Sequence, residues 1–203
     1  MEVQLQEKTA GVEKWFGSDE AFDRLYPAAV QALSKRHWTP LQVAREASAF
    51  LGADPRVKIL DIGSGAGKFC LAAAHFNPTP FYYGIEQRKN LVYNAETARQ
   101  VLRMDNVSFI HGNFTQVHFR DYDHFYFYNS FYENITAVNR MDESIDYSVE
   151  LYNYYNRYMF KQLEQTPPGT RLAAFHSMED EVPPGFHVVG SSPDRLLKFW
   201  IKV

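Results

Sequence analysis

The run LDIGSGAGKF, residues 60–69, sets an aspartate, Asp61, two positions ahead of three alternating glycines, Gly63, Gly65 and Gly67. Glycines at this spacing let a chain turn tightly and allow its backbone to approach a ligand closely. A phosphate-binding loop of the GxxxxGK[ST] kind would need glycine five residues before Gly67, where Ile62 stands, and Ser or Thr after Lys68, where Phe69 stands. A dinucleotide fingerprint, GxGxxG, accepts Gly63 and Gly65 but would place its third glycine at Lys68.

Asp61 points to a third chemistry. A carboxylate aimed at a pyrophosphate would be repelled, whereas an ammonium or sulfonium would be attracted, and S-adenosylmethionine carries both cations. Glu86 lies 19 residues beyond Gly67, where an acid can accept two hydrogen bonds from a ribose diol. Asn129, Tyr128, Tyr132, Glu133 and His176 follow later hydrophobic runs and are candidates to hold an acceptor or take its proton. Lys68 reads as a solvated helix residue and Cys70, within CLAAA, as core packing.

These residues need elements to aim them. Residues 18–35 read as a helix capped by Ser18 and kinked at Pro27; a second starts with Thr39 as N-cap and Pro40 in the first turn, and stops at Gly52. From there strand and helix patterns alternate: strands at 57–63, 81–86, 107–113, 124–130 and 171–177, with helices following the glycine turn and over 89–103. Ile145, Val149, Tyr152, Tyr155, Met159 and Leu163 carry helical spacing through 144–165. Strands at 186–190 and 196–203 are joined too closely for a parallel crossover, so they form an antiparallel hairpin. The expected fold class is α/β: a three-layer sandwich with a seven-stranded, mostly parallel sheet ending in that hairpin. Residues 1–52 are a small N-terminal helical cap and 53–203 the Rossmann-like core. Residues 131–143 exceed what a crossover needs and are expected as a mobile lid.

With LDIGSGAG and the GIE of residues 84–86 in place, the chain over about residues 34–203 resembles the class I, Rossmann-like S-adenosylmethionine-dependent methyltransferases. The resemblance implies S-adenosylmethionine as cofactor, with Asp61, Gly63, Gly65 and Gly67 against its methionine and ribose and Glu86 on the ribose hydroxyls. It places Asn113, in HGNF, where the family often has an acid reading the adenine amine, with Phe114 flanking the ring. Trp38, Thr39 and Pro40 match a segment that closes over the methionine end in several members. Asn129 and Tyr132 fit the family's catalytic Asn/Asp and aromatic, although Ser130 and Phe131 replace its prolines. The implied reaction is methyl transfer to an acceptor, with nitrogen on a protein side chain or small molecule favoured. A catalytically silent adenosyl-binding module and a nicotinamide-dependent oxidoreductase are the alternatives.

Composition bounds the partners. The 203 residues carry 21 Lys and Arg against 24 Asp and Glu, a net charge of −3, which disfavours nucleic acid as a partner. The single cysteine forms no internal disulfide and the histidines are dispersed, so no metal site is expected and a reducing, cytoplasmic compartment is. The first 30 residues lack the apolar core of a secretory signal, and no apolar run is long enough to span a membrane.

Overall fold

The computed structural model describes residues 11–136, 140–177 and 181–203. Seven strands, β1 (Lys58–Ile62), β2 (Phe81–Glu86), β3 (Val107–His111), β4 (His124–Tyr128), β5 (Arg171–Phe175), β6 (Phe186–Ser191) and β7 (Leu197–Lys202), form one sheet in the order β3-β2-β1-β4-β5-β7-β6. The pairs among β1 to β5 are parallel, while β7 runs antiparallel to both β5 and β6. The expected terminal hairpin is present, and chain order reverses between β1 and β4, the place where open α/β sheets bind ligands.

Alternation along the strands divides the core between the two faces. Ile59, Tyr82, Tyr126 and Ala173 pack with α4 (Leu41–Leu51), α5 (Lys68–Phe76) and α6 (Lys89–Leu102). Leu60, Ile62, Phe125, Phe127 and Leu172 face Phe114, Phe131 and the Tyr155, Met159 and Leu163 stripe of α7 (Val149–Glu164). Phe125, Phe127 and Tyr155 are therefore core. Among the described residues no helix is long and apolar enough to cross a membrane.

Departures from expectation have local causes. The stretch expected as one helix is three short ones, α1 (Asp19–Asp23), α2 (Ala28–Gln31) and α3 (Ser34–His37). Pro27, at ψ 150°, starts α2 instead of continuing α1. Ser18 does cap α1, its Oγ accepting from the Ala21 amide at 3.1 Å. Thr39 does not cap α4: its Oγ1 pairs with the Tyr126 hydroxyl at 2.9 Å, and Asp19 accepts from the Leu41 amide at 3.0 Å. Helix α7 begins later than 144 because Asp142 accepts from both the amide and hydroxyl of Ser144, at 2.9 and 2.6 Å, and Ser148 supplies the N-cap. Residues 137–139 of the expected lid lie outside the described residues.

The glycine turn is built from left-handed residues: φ is +76° at Gly63, +54° at Gly65 and +83° at Gly67. A β-carbon on Gly67 would meet the Phe109 ring at 2.4 Å, whereas one on Gly65 would have no neighbour within 4 Å. Both Gly67→Ala and Gly65→Ala should lose roughly 1–2 kcal/mol to left-handed strain. Overpacking should cost Gly67→Ala about 1–3 kcal/mol more. Urea denaturation of the two variants checks the order, and equal stability would contradict the packing of Gly67.

Candidate functional site

A cleft of about 280 Å³ opens at the carboxyl edge of the sheet, over the switch between β1 and β4. Its wall takes Asp61, Gly63 and Ser64 from the end of β1, Glu86 to Arg88 from β2, Gly112 to Phe114 from β3, and Tyr128 to Asn134 from β4. Four separate sequence segments thus meet in one place, because parallel strands deliver their ends to a common edge.

The glycine turn and Glu86 are tied together directly. The Gly63 and Ser64 amides both donate to the Ile85 carbonyl at 3.0 Å. Gly65 donates to Glu86 Oε2 at 3.1 Å, and the Arg88 amide to Oε1 at 2.8 Å. Gly65 and Gly67 shape the turn without lining the cleft, while Gly63 packs so closely on Ser130 that a β-carbon would stand 2.5 Å from it. Ser130 in turn donates to the Ile62 carbonyl at 2.7 Å, which explains a small residue there in place of proline.

Asp61 and Glu86 are almost fully buried, at 3% and 4% exposure. Burial, with repulsion from Glu86, pushes Asp61 up to about 8, against a hydrogen bond from the Cys70 thiol at 3.6 Å. Burial also raises Glu86, opposed chiefly by the Arg88 guanidinium and by the Arg88 and Gly65 amides. Asp61 is therefore a neutral acid at pH 7 that a nearby cation would ionise. Ser64 Oγ, also on the wall, is buried without a hydrogen-bond partner.

The remaining expected site residues divide. Trp38 and Thr39 line the cleft; Pro40 does not, standing at the N-cap of α4. Phe114 lines it, stacked on Phe131 at 4.9 Å. Asn113 lines it too, but its Oδ1 already accepts from the Thr115 amide and hydroxyl at 3.0 and 2.9 Å, and its Nδ2 donates to Gln87 and Tyr155. Its amide is thus committed to the turn more than to a ligand. Asn129 sits at the rim with φ +41°, a strained corner that Asn tolerates, and Tyr132 is 42% exposed beside it. His176 lines the same rim, against Tyr128 at 5.7 Å.

Several wall residues escaped the sequence reading. Lys68 is not solvated: it is 4% exposed, with Nζ 2.7 Å from Asp19 and 2.8 Å from Asp23. Arg88 donates to Glu133 at 2.6 Å, to the Tyr147 hydroxyl at 2.7 Å and to Asp142 at 3.3 Å. Its place two residues past the Glu86 strand end could have nominated it, since that edge is where ligands bind. His37 stands 3.9 Å from Glu133 and is held below its ordinary range by burial, which outweighs the pull of Glu133.

Residues 53–150 match a family model described as a methyltransferase domain. Over 54 residues the chain is 44% identical to the tRNA (guanine-N(7)-)-methyltransferase of Synechococcus sp. (strain JA-3-3Ab), a match covering 27% of this chain and 23% of that protein. The enzyme of the same name from Microcystis aeruginosa (strain NIES-843 / IAM M-2473) is 43% identical over 54 residues, 27% of this chain and 26% of its own. The matched part is thus about a quarter of these curated relatives. Among solved structures, TrmN from Thermus thermophilus superposes with TM-score 0.59 at 16% identity, covering 86% of this chain and 52% of that one. An RNA methyltransferase from Salinibacter ruber in complex with S-adenosyl-L-homocysteine gives 0.54 at 18%, covering 81% and 93%.

The chain has the class I, Rossmann-like S-adenosylmethionine-dependent methyltransferase fold that its motifs resemble. The family model and these curated relatives carry methyltransferase descriptions. They correct one expectation: relatives named for tRNA overturn the argument that nucleic acid is disfavoured. Net charge averages over the whole surface, and a local basic wall escapes it. Here Lys35 and Arg36 are exposed on α3, with Arg36 and His37 on the cleft wall.

The raised pKa of Asp61 has a consequence for stability. Between its ordinary value of 3.8 and about 8, the folded chain keeps a proton that the unfolded chain releases, so Asp61 costs stability increasingly as pH rises through that window. Asp61→Asn should therefore stabilise the ligand-free protein, by an amount that grows from pH 5 to pH 8 and then levels. Denaturation midpoints at pH 5, 7 and 9 check this; a gain independent of pH would contradict it.

Proposed function

We propose that the protein binds S-adenosylmethionine in this cleft and transfers its methyl group to a nitrogen of an RNA base. The observation that carries the cofactor reading is the convergence of buried Asp61 and Glu86 on one cleft wall, beside the left-handed glycine turn. These residues fit the group: Glu86 accepts from ribose hydroxyls, Asp61 faces positive charge, and Phe114 flanks a flat ring. S-adenosylmethionine supplies a methyl already activated on a sulfonium. The chain therefore has mainly to orient a nucleophile and exclude water.

Support for an RNA acceptor comes from the names of the matched relatives and from the rim itself. Lys35 and Arg36 offer charge to phosphate, and the exposed ring of Tyr132 offers a stacking face, which for a base is worth about 1–3 kcal/mol. Asn129 orients the acceptor nitrogen through its amide. Neutral His37, beside Glu133, receives a proton where that nitrogen carries one.

Glu86→Ala should weaken S-adenosylhomocysteine by roughly 100-fold to 10,000-fold, since two hydrogen bonds to a charged group are lost at about 1.5–3 kcal/mol each. Asn129→Ala should keep that affinity and lose most transfer. Calorimetric titration, with transfer of tritiated methyl from S-adenosylmethionine to unmodified tRNA, to a lysine-rich protein and to a small-molecule extract, tests both. Unchanged affinity in Glu86→Ala would overturn the cofactor site, and label in protein alone would overturn the acceptor.

A further inference from the structure

Arg88 joins the two halves of the cleft. It is buried, with 5% of its side chain exposed, and its charge is shared among groups from three parts of the chain. Nη1 lies 3.6 Å from Glu86 at the end of β2. Nη2 donates to Glu133, after β4, at 2.6 Å and to the Tyr147 hydroxyl at 2.7 Å, and Nε donates to Asp142 at 3.3 Å. Glu133 is fixed in turn by the Met141 amide at 3.2 Å and by Tyr147 at 3.1 Å, while Met141, Ile145 and Tyr147 form a wall of the cleft.

We propose that Arg88 is a positioning residue with two separable tasks: its positive charge holds Glu86 ready to accept ribose hydroxyls, and its planar fork clamps the Met141–Tyr147 wall of the acceptor site. This rests on the reading of Glu86 as the ribose acid. A protonated carboxyl would accept poorly from a diol, so Glu86 must stay ionised although burial opposes it. The charged groups facing Glu86 are Arg88, Glu133 from beyond β4, and Asp61 from β1. Glu133 disfavours its ionised form and Asp61 is neutral, which leaves Arg88 as the cation that sustains it, beside the Arg88 and Gly65 amides. The clamp, by contrast, depends on shape. Three acceptors are met by three N–H directions of one guanidinium, an arrangement an ammonium point charge does not reproduce.

The two tasks predict different rescues. In Arg88→Met, Glu86 protonates at a higher pH than in the wild type, so the form that binds is lost as pH falls. Relative to the wild type at the same pH, so that the shared ionisation of Asp61 cancels, affinity for S-adenosylhomocysteine should then drop about tenfold per pH unit below the new value and recover toward pH 9. Hydrogen exchange at residues 141–148 should be faster at every pH. Arg88→Lys should restore the wild-type affinity profile yet leave the 141–148 exchange fast. Calorimetry across pH and exchange mass spectrometry of the three proteins give both readouts without any acceptor.

A profile in Arg88→Met that parallels the wild type's, or full recovery of slow exchange in Arg88→Lys, would overturn the proposal. If Arg88→Met does not fold, Arg88→Lys decides alone, since it must separate the two readouts. Failure of the wild type to bind S-adenosylhomocysteine would instead refute the underlying cofactor reading.

Discussion

The hydrogen bond from the Gly65 amide to the Glu86 carboxylate, 3.1 Å long and buried, is the contact on which the site depends. It joins the loop after β1 to the end of β2, and it exists only because the chain turns left-handed at Gly63, Gly65 and Gly67. The same turn is braced by the Ile85 carbonyl beneath, by Ser130 against Gly63, and by the Tyr26 hydroxyl, which donates to the Ala66 carbonyl at 2.8 Å. Strand ends from β1, β2 and β4 and the N-terminal helices are thereby locked around one cavity. A pre-formed cavity spares its ligand the cost of ordering the loops that hold it.

Such a site concentrates charge where solvent is scarce, and the buried cations Lys68 and Arg88 draw on acids from distant parts of the chain. Lys68 has Asp19 and Asp23 from α1, and Arg88 has Glu133 and Asp142. Asp61 lacks a cationic partner in these contacts, and burial drives it toward its neutral form. An acid left in that state beside a cavity is arranged for positive charge to arrive, in keeping with a sulfonium or ammonium ligand.

Much of the fold was legible because alternation of buried strands and helices admits few solutions. The pattern placed β2 at 81–86, where it lies, and the short 191–195 link required the antiparallel hairpin. The N-terminal helices were misread because periodicity survives across Pro27 while the hydrogen bonds do not. In the site, motif residues near strand ends were visible one by one. The partners of Lys68, and those of Arg88 other than Glu86, lie about 45 residues or more away in sequence, and no local spacing announces them. Nor did net charge reveal that exposed Lys35 and Arg36 stand beside the cleft, which is why RNA was set aside on composition.

The central claim is that the cleft selects an adenosyl cation. Thermal melting with S-adenosylmethionine, S-adenosylhomocysteine, NADH, NADPH and ATP tests it most directly, because a ligand at 100 times its dissociation constant stabilises by about 2.7 kcal/mol, a shift of several degrees. The structure predicts shifts with the two adenosyl ligands alone. A shift with a nicotinamide cofactor and none with S-adenosylmethionine would contradict it.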